Sequence, residues 1–245
     1  MKKFVIFALV AFSLITIAIK IQTSSQTIKC KHINLIFKLD EMSDSQLLYM
    51  RDAAKSLQAY QSQKNVVKQV QIGAKAIHAF DHYPKGDVLD SNTHYQYYYH
   101  SHRNQEHGHF HTFYMFPGKN ESFTHLIAIS MDKWGRAIKL FTVNQWVTGG
   151  KWLLKNQLHA KVRNFKVEKL QHSPINDWIN PFFILFEPQI NELISMRDEV
   201  IEKLKVQDSN ILQNSKLDEI TSMDISLDEQ IKWLKLEFTK RQLEW

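Results

Sequence analysis

Between His94 and His125 the chain reads HYQYYYHSHRNQEHGHFHTFYMFPGKNESFTH. Seven of its twelve histidines lie there: His94, His100, His102, His107, His109, His111 and His125. Imidazole is a borderline ligand that suits zinc, iron, nickel and copper, and it exchanges protons near neutral pH. Three imidazoles, or two with a carboxylate such as Glu106, make a catalytic-type site with an open position. The candidate metal ligands are therefore His100, His102, His107, His109, His111 and His125, for a divalent ion such as zinc or iron. His109 and Glu106 are the candidate catalytic groups.

Strands must position these rings. Side chains alternate between the faces of a strand, so His107, His109 and His111 are expected on one side, with Gly108, Phe110 and Thr112 on the other. Arg103-Asn104-Gln105-Glu106 fits a hairpin loop. With His102 opposite His107, His100 faces His109 and Tyr98 faces His111, all on one side. A slip of one residue would separate them. Beyond Pro117-Gly118, His125 is expected to pair with His111.

Periodicity supplies the rest of the scaffold. Strands are expected at Tyr95 to His100, His107 to Phe116, Phe123 to Met131 and Arg136 to Val143, the last two joined by Asp132-Lys133-Trp134-Gly135. Asp81 to Asp87, with Pro84 and Gly86, reads as a turn; Asp81, His82 and Asp87 are also candidate ligands, but turns recruit Asp for backbone hydrogen bonds and the structural reading is preferred. A helix begins at Ser43, where Ser43 and Gln46 make a capping box and Met42 and Leu47 a hydrophobic staple. Further helices are expected over Val66 to Ile77, Trp152 to Lys169, Pro188 to Lys205 and from Ser226, where Ser226 and Glu229 repeat the capping box. The fold class is α+β: an antiparallel sheet of four strands or slightly more, flanked by helices and preceded by an N-terminal hydrophobic helix.

Residues 1–22 read as a signal anchor or signal peptide. Lys2 and Lys3 precede an uncharged, mostly apolar run from Phe4 to Ile19, closed by Lys20. Residues 23–42 form a connector, 43–172 a histidine-rich α+β domain, and 173–245 a helical region packed on it. The single cysteine, Cys30, excludes an intramolecular disulfide and any cysteine-based zinc motif. The net charge of +6 conceals a basic front and an acidic end. Pairing of the two within the chain is expected, with no nucleic-acid partner. The body is expected outside the cytoplasm, held to the membrane through the N-terminal segment or secreted if that segment is removed. Its small-molecule substrate is open.

Three resemblances add to this. His100-x-His102-x-x-x-Glu106 resembles the first metal motif of cupins, whose second motif is not found after residue 111. His107-Gly108-His109-Phe110-His111 resembles the signature of histidine-triad nucleotide hydrolases and transferases, which implies His109 as the phosphate-attacking nucleophile and His111 beside it. The longest covers residues 83 to about 152. It is carried by YPKGDV from Tyr83, YYYHSHR from Tyr97, EHGHFH from Glu106, THL from Thr124, SMD from Ser130 and WVTG from Trp146. These are similar to an uncharacterised bacterial domain-of-unknown-function family, which implies no activity. The function expected is a metal-dependent hydrolase or oxygenase. Alternatives are histidine-triad phosphoester chemistry and a non-enzymatic anchored interaction protein.

Overall fold

The computed structural model describes residues 41–74, 76–118, 122–168 and 173–245, and the backbone of Ile28–Lys29. The expected N-terminal hydrophobic helix and most of the connector lie outside the described residues. Among the described residues no helix is long and apolar enough to cross a membrane.

One sheet organises the chain. Its strands are β1 (Ile28–Lys29), β2 (Tyr83–Leu89), β3 (Tyr95–His100), β4 (Gly108–Met115), β5 (Phe123–Met131), β6 (Ala137–Val143) and β7 (Glu219–Asp224), in the spatial order β1-β7-β6-β5-β4-β3-β2. All neighbours from β2 to β7 are antiparallel, and β1 joins β7 in parallel. The helices are α1 (Asp44–Gln63), α2 (Val66–Val70), α3 (Gln145–Thr148), α4 (Lys155–Arg163), α5 (Asn176–Lys205) and α6 (Leu227–Lys240). The α+β class holds, with a sheet larger than the four strands read from the sequence.

Two expected helices are shorter among the described residues, Val66 to Ile77 being helical over Val66–Val70 and Trp152 to Lys169 over Lys155–Arg163, and three elements differ more deeply. Tyr83 to Leu89 is an edge strand, not a turn. Its positive-φ pair Gly86 and Asp87 sits inside a register shift against β3, so the turn residues mark an irregularity within a strand. The acidic C-terminal region, expected to be helical, contributes β7 as well. Its β-branched Ile220 and Thr221 are buried beside β6, and Thr142 and Thr221 hydroxyls meet at 2.7 Å. The helix expected from Pro188 starts instead at Asn176 and runs through both Pro181 and Pro188. Proline lacks the N–H that would bond the preceding turn. Burial of Trp178, Ile179, Phe182, Phe183, Phe186 and Ile190 offsets that loss.

The expected capping box is complete at Ser43 and half formed at Ser226. Ser43 and Gln46 form both halves of the capping box on α1, and Ser226 accepts from the Glu229 amide on α6. The helices cover one face of the sheet. Tyr95, Tyr97, Tyr99, Phe110, Ile129 and Leu140 point into that core. Phe110 stacks on Trp178 at 5.4 Å, and the Tyr97 hydroxyl donates to Asn176 at 2.7 Å.

The opposite face carries the histidines, and a bulge in β5 shapes it. Phe113 pairs with His125, but His111 pairs with Ala128, so two residues, Leu126 and Ile127, oppose Thr112 alone. That extra residue reverses the phase of β5. On the histidine face it leaves the small side chains of Ala128 and Ser130 beside His111 and His109. Ile127, Ile129 and Met131 go to the helix core. Without the bulge, the bulky set would crowd the imidazoles. Thr112 holds the bulge, since its hydroxyl donates to the Ile127 carbonyl at 2.7 Å and accepts from the Ile127 amide at 3.3 Å. Thr112→Val keeps the shape and removes both bonds, leaving a buried backbone pair unsatisfied. The expected cost is about 2 kcal/mol, read from the denaturant midpoint. An unchanged midpoint would show that the bulge does not depend on this hydroxyl.

Candidate metal centre

The β3–β4 register is the converging one. His100 pairs with His109 and Tyr98 with His111. Directly opposed residues have Cα atoms about 4.5–5.5 Å apart, which brings two imidazoles into contact. His109 and His111, two apart on β4, share the face. The result is a focus of three ring nitrogens. His109 Nε2 lies 2.6 Å from His100 Nε2 and 3.1 Å from His111 Nε2. All three residues are buried, and one ligand atom from each lies within 4.8 Å of the others. An ion bonded at about 2.0–2.1 Å to each nitrogen wants them roughly 3.3 Å apart for tetrahedral angles. The two spacings to His109 are short of that by less than about 1 Å.

The outward nitrogens have their own partners. His109 Nδ1 meets Glu106 Oε1 at 2.5 Å. A carboxylate only accepts, so the His109 proton sits on Nδ1 and its Nε2 presents a lone pair to the focus. His111 Nδ1 lies 2.9 Å from His125 Nε2. A carboxylate or imidazole behind a ligating histidine is the usual second layer of a metal site, because it fixes ring orientation and tautomer. In the metal-free protein, His100 and His111 must turn N–H groups toward the single lone pair of His109. An ion held there would need those inward nitrogens free of protons.

Desolvation and neighbouring imidazoles keep the rings neutral. Burial pushes the His100 and His111 pKa values far down, and adjacent imidazoles push the same way. Burial lowers His109 too, against the raising effect of Glu106. His125 falls to about 3, through burial first and then the charge of Arg197. For Glu106, burial raises the carboxyl pKa, but the hydrogen bond to His109 leads the opposing effects and the net shift is downward.

The six candidate ligands do not all converge. His107 departs from the expected alternation. It precedes β4, and its Nδ1 is 2.7 Å from the hydroxyl of Tyr99, a residue of the helix-packed face. Gly108 permits this close approach: a Cβ there would come within 2.5 Å of both the His100 carbonyl and the Tyr99 hydroxyl. His102 is exposed at the rim, 4.7 Å from the His100 ring and 5.0 Å from that of His109, and it stacks on Phe80. His125 backs His111 and does not enter the three-nitrogen focus. His82, from the segment read as a turn, stacks on Tyr98 at 3.6 Å and bonds Asp87 at 2.9 Å.

Sequence inspection passed over a second group. Arg103 and Lys139 both bond Glu219 Oε2, at 2.9 and 3.0 Å. Both stand over the Phe141 ring, which lies edge-on to His109 at 5.3 Å. No local pattern could show this, because Glu219 is 116 positions from Arg103.

A family model described as a domain of unknown function (DUF6969) matches residues 45–225, a span that includes every strand from β2 to β7 and leaves out the edge strand β1. No curated protein and no solved structure matches the chain.

Proposed function

The chain belongs to the DUF6969 family of unknown function, and we propose that it is a metal-dependent enzyme, hydrolytic in the first instance, whose divalent ion is held by Nε2 of His100, His109 and His111. The observation that carries this is the inward convergence of three buried imidazole nitrogens, each of two rings backed by an outward partner. Three neutral imidazoles leave a position open, as catalytic zinc sites do, and zinc bound this way lowers the pKa of its water to about 7. Glu106 is engaged with His109 Nδ1, so its role here is to orient that ring. His102 at the rim is the group placed to exchange protons with a substrate. Ferrous iron suits the same donors, and oxygenase chemistry is the second outcome.

Histidine-triad phosphoester chemistry draws less support. It would use His107, His109 and His111 together, and His107 faces Tyr99. A nucleophilic His109 would also need a free Nε2, whereas that atom meets two other imidazoles. For location, the basic and apolar start of the sequence, Lys2 to Lys20, supports an extracytoplasmic body tethered to the membrane or secreted.

Equilibrium dialysis of the purified chain against zinc, cobalt(II) and ferrous iron, followed by elemental analysis, tests the proposal. About one ion per chain is expected, removable by a chelator. No retention of any of the three metals rejects it.

A further inference from the structure

Two carboxylates and two cations border the three imidazoles, and they are exposed unequally. The side chains of Glu106 and Glu219 are 4% and 7% exposed, whereas those of Arg103 and Lys139 are 27% and 20%. Negative charge is held below, and positive charge meets the solvent beside the site. The two cations share a single oxygen of a single carboxylate, Glu219 Oε2. Among the described residues that is the only hydrogen bond of either cationic head. A guanidinium has five N–H donors and an ammonium three, so most of their capacity is open to another acceptor. Glu219 is the carboxylate bonded to both heads, since Glu106, although it feels the charge of Arg103, is hydrogen-bonded to His109 Nδ1.

The position of this pair gives it a purpose beyond holding Glu219. Both heads lie over Phe141, within 4.9 Å of the ring centroid, on the same sheet face as His109. The charge of Arg103 is felt at His100, His102, His109 and His111, which places it beside the whole cluster. A planar guanidinium fork matches a carboxylate in two parallel N–H···O bonds.

We infer that the substrate of this site is a small carboxylate, its acid group held by Arg103 and Lys139 while another atom takes the open position on the ion. The inference rests on the metal-binding proposal and supplies its substrate class. The open donors of the two cations receive the acid group of the ligand, and Glu219 Oε2 gathers the two heads beside the site when no ligand is bound. Arg103 and Lys139 are then substrate-binding groups, and Glu219 is a positioning residue.

The test uses the full chain loaded with cobalt(II), whose visible absorption reports on groups entering the coordination sphere. Acetate and oxalate serve as probes, with acetamide as the neutral control. Saturable spectral change with the two carboxylates and none with acetamide is expected. Arg103→Gln should weaken oxalate binding at least about tenfold with cobalt uptake unchanged, and Arg103→Lys should recover part of the loss. Glu219→Gln should move affinity the other way, tightening oxalate binding, because both cations lose their internal partner. A purely structural role for the Arg103–Glu219 pair predicts lower thermal stability in both variants and equal oxalate affinity; that result overturns the inference. So does acetamide binding as well as acetate. Failure of the parent chain to take up cobalt is a different failure and strikes the metal proposal. Calorimetric titration of the metal-free chain with oxalate then decides the matter for the cation pair: binding that Arg103→Gln abolishes upholds it, and no binding removes it.

Discussion

His109→Ala is expected to lower zinc or cobalt affinity by about 10²–10³-fold, the largest loss for any single residue of the cluster. Apparent zinc-binding energies of about 10–16 kcal/mol are spread over about four ligands, so one imidazole accounts for roughly 3 kcal/mol. His109 stands at the centre of the focus, in contact with both other nitrogens, and is the ring that Glu106 orients. His100→Ala and His111→Ala should follow closely. Glu106→Gln keeps the ligand and loses the charged acceptor behind it, and about 10–100-fold is expected. His125→Ala should fall at or below that range, since it touches only the far side of His111. His107→Ala is the internal control, because its ring bonds Tyr99. Its metal affinity should equal that of the parent. Competition titration with a chromogenic chelator measures the series, and circular dichroism of each metal-free variant verifies folding. A His107→Ala loss equal to that of His109→Ala would contradict the three-residue focus.

The histidine face was legible because strand phase has period two and the hairpin loop is short. Those two facts put His100 opposite His109 with no tertiary information. They also predicted His107 on the same side, and there they failed. Alternation applies within a regular strand, and β4 begins only at Gly108. The close approach of Tyr99 to Gly108 draws His107 to the other side. His125 was found for an incomplete reason. Its expected partner was His111, but its cross-strand partner is Phe113, and the Leu126–Ile127 bulge lets its ring reach His111 all the same. A bulge leaves little trace in a sequence, and Thr112 gave no sign of holding one.

Larger misreadings arise from tertiary context. Pro188 in α5 is a local breaker that tertiary burial overrode, whereas Pro84 and Gly86 are tolerated because β2 is a mostly exposed edge strand with a register shift. Strand β7 is short and half polar, and it exists because β6 presents an edge to it after a long helical excursion. Where cap chemistry acts alone the sequence sufficed for both helix starts, for the whole capping box at Ser43 and for the serine half of it at Ser226. Charges from Arg103, Lys139 and Glu219 meet only once β6 and β7 are paired, so the cationic rim could be seen only in three dimensions.

Mild acid should unfold the metal-free protein, and a bound ion should postpone this to lower pH. Four imidazoles, His100, His109, His111 and His125, have pKa values depressed in the fold, each by burial first; that of His125 lies near 3. In the unfolded chain each returns to about 6.5. Above that pH neither state carries the proton, and these groups add no pH dependence. As pH falls below about 6.5, the unfolded chain takes up protons that the fold refuses, so stability is lost from there down through the folded-state values. Each such histidine contributes a slope of up to about 1.4 kcal/mol per pH unit. Glu106, whose pKa is also lowered, adds to the loss further down. Three or four groups titrating together would remove about 4–5 kcal/mol per unit, against a usual total of about 5–15 kcal/mol. The metal-free chain is therefore expected to lose its cooperative melting transition between about pH 6 and pH 4, with a nearly constant Tm from about pH 7 to 8. An ion on the three Nε2 atoms must be displaced before those rings protonate, so saturating zinc should move the acid midpoint down by a pH unit or so. Thermal melts across the pH series, with and without zinc, measure both. A metal-free Tm at pH 5 equal to that at pH 7.5 would mean that the rings accept protons within the fold, which a closed, desolvated focus of three imidazoles does not permit.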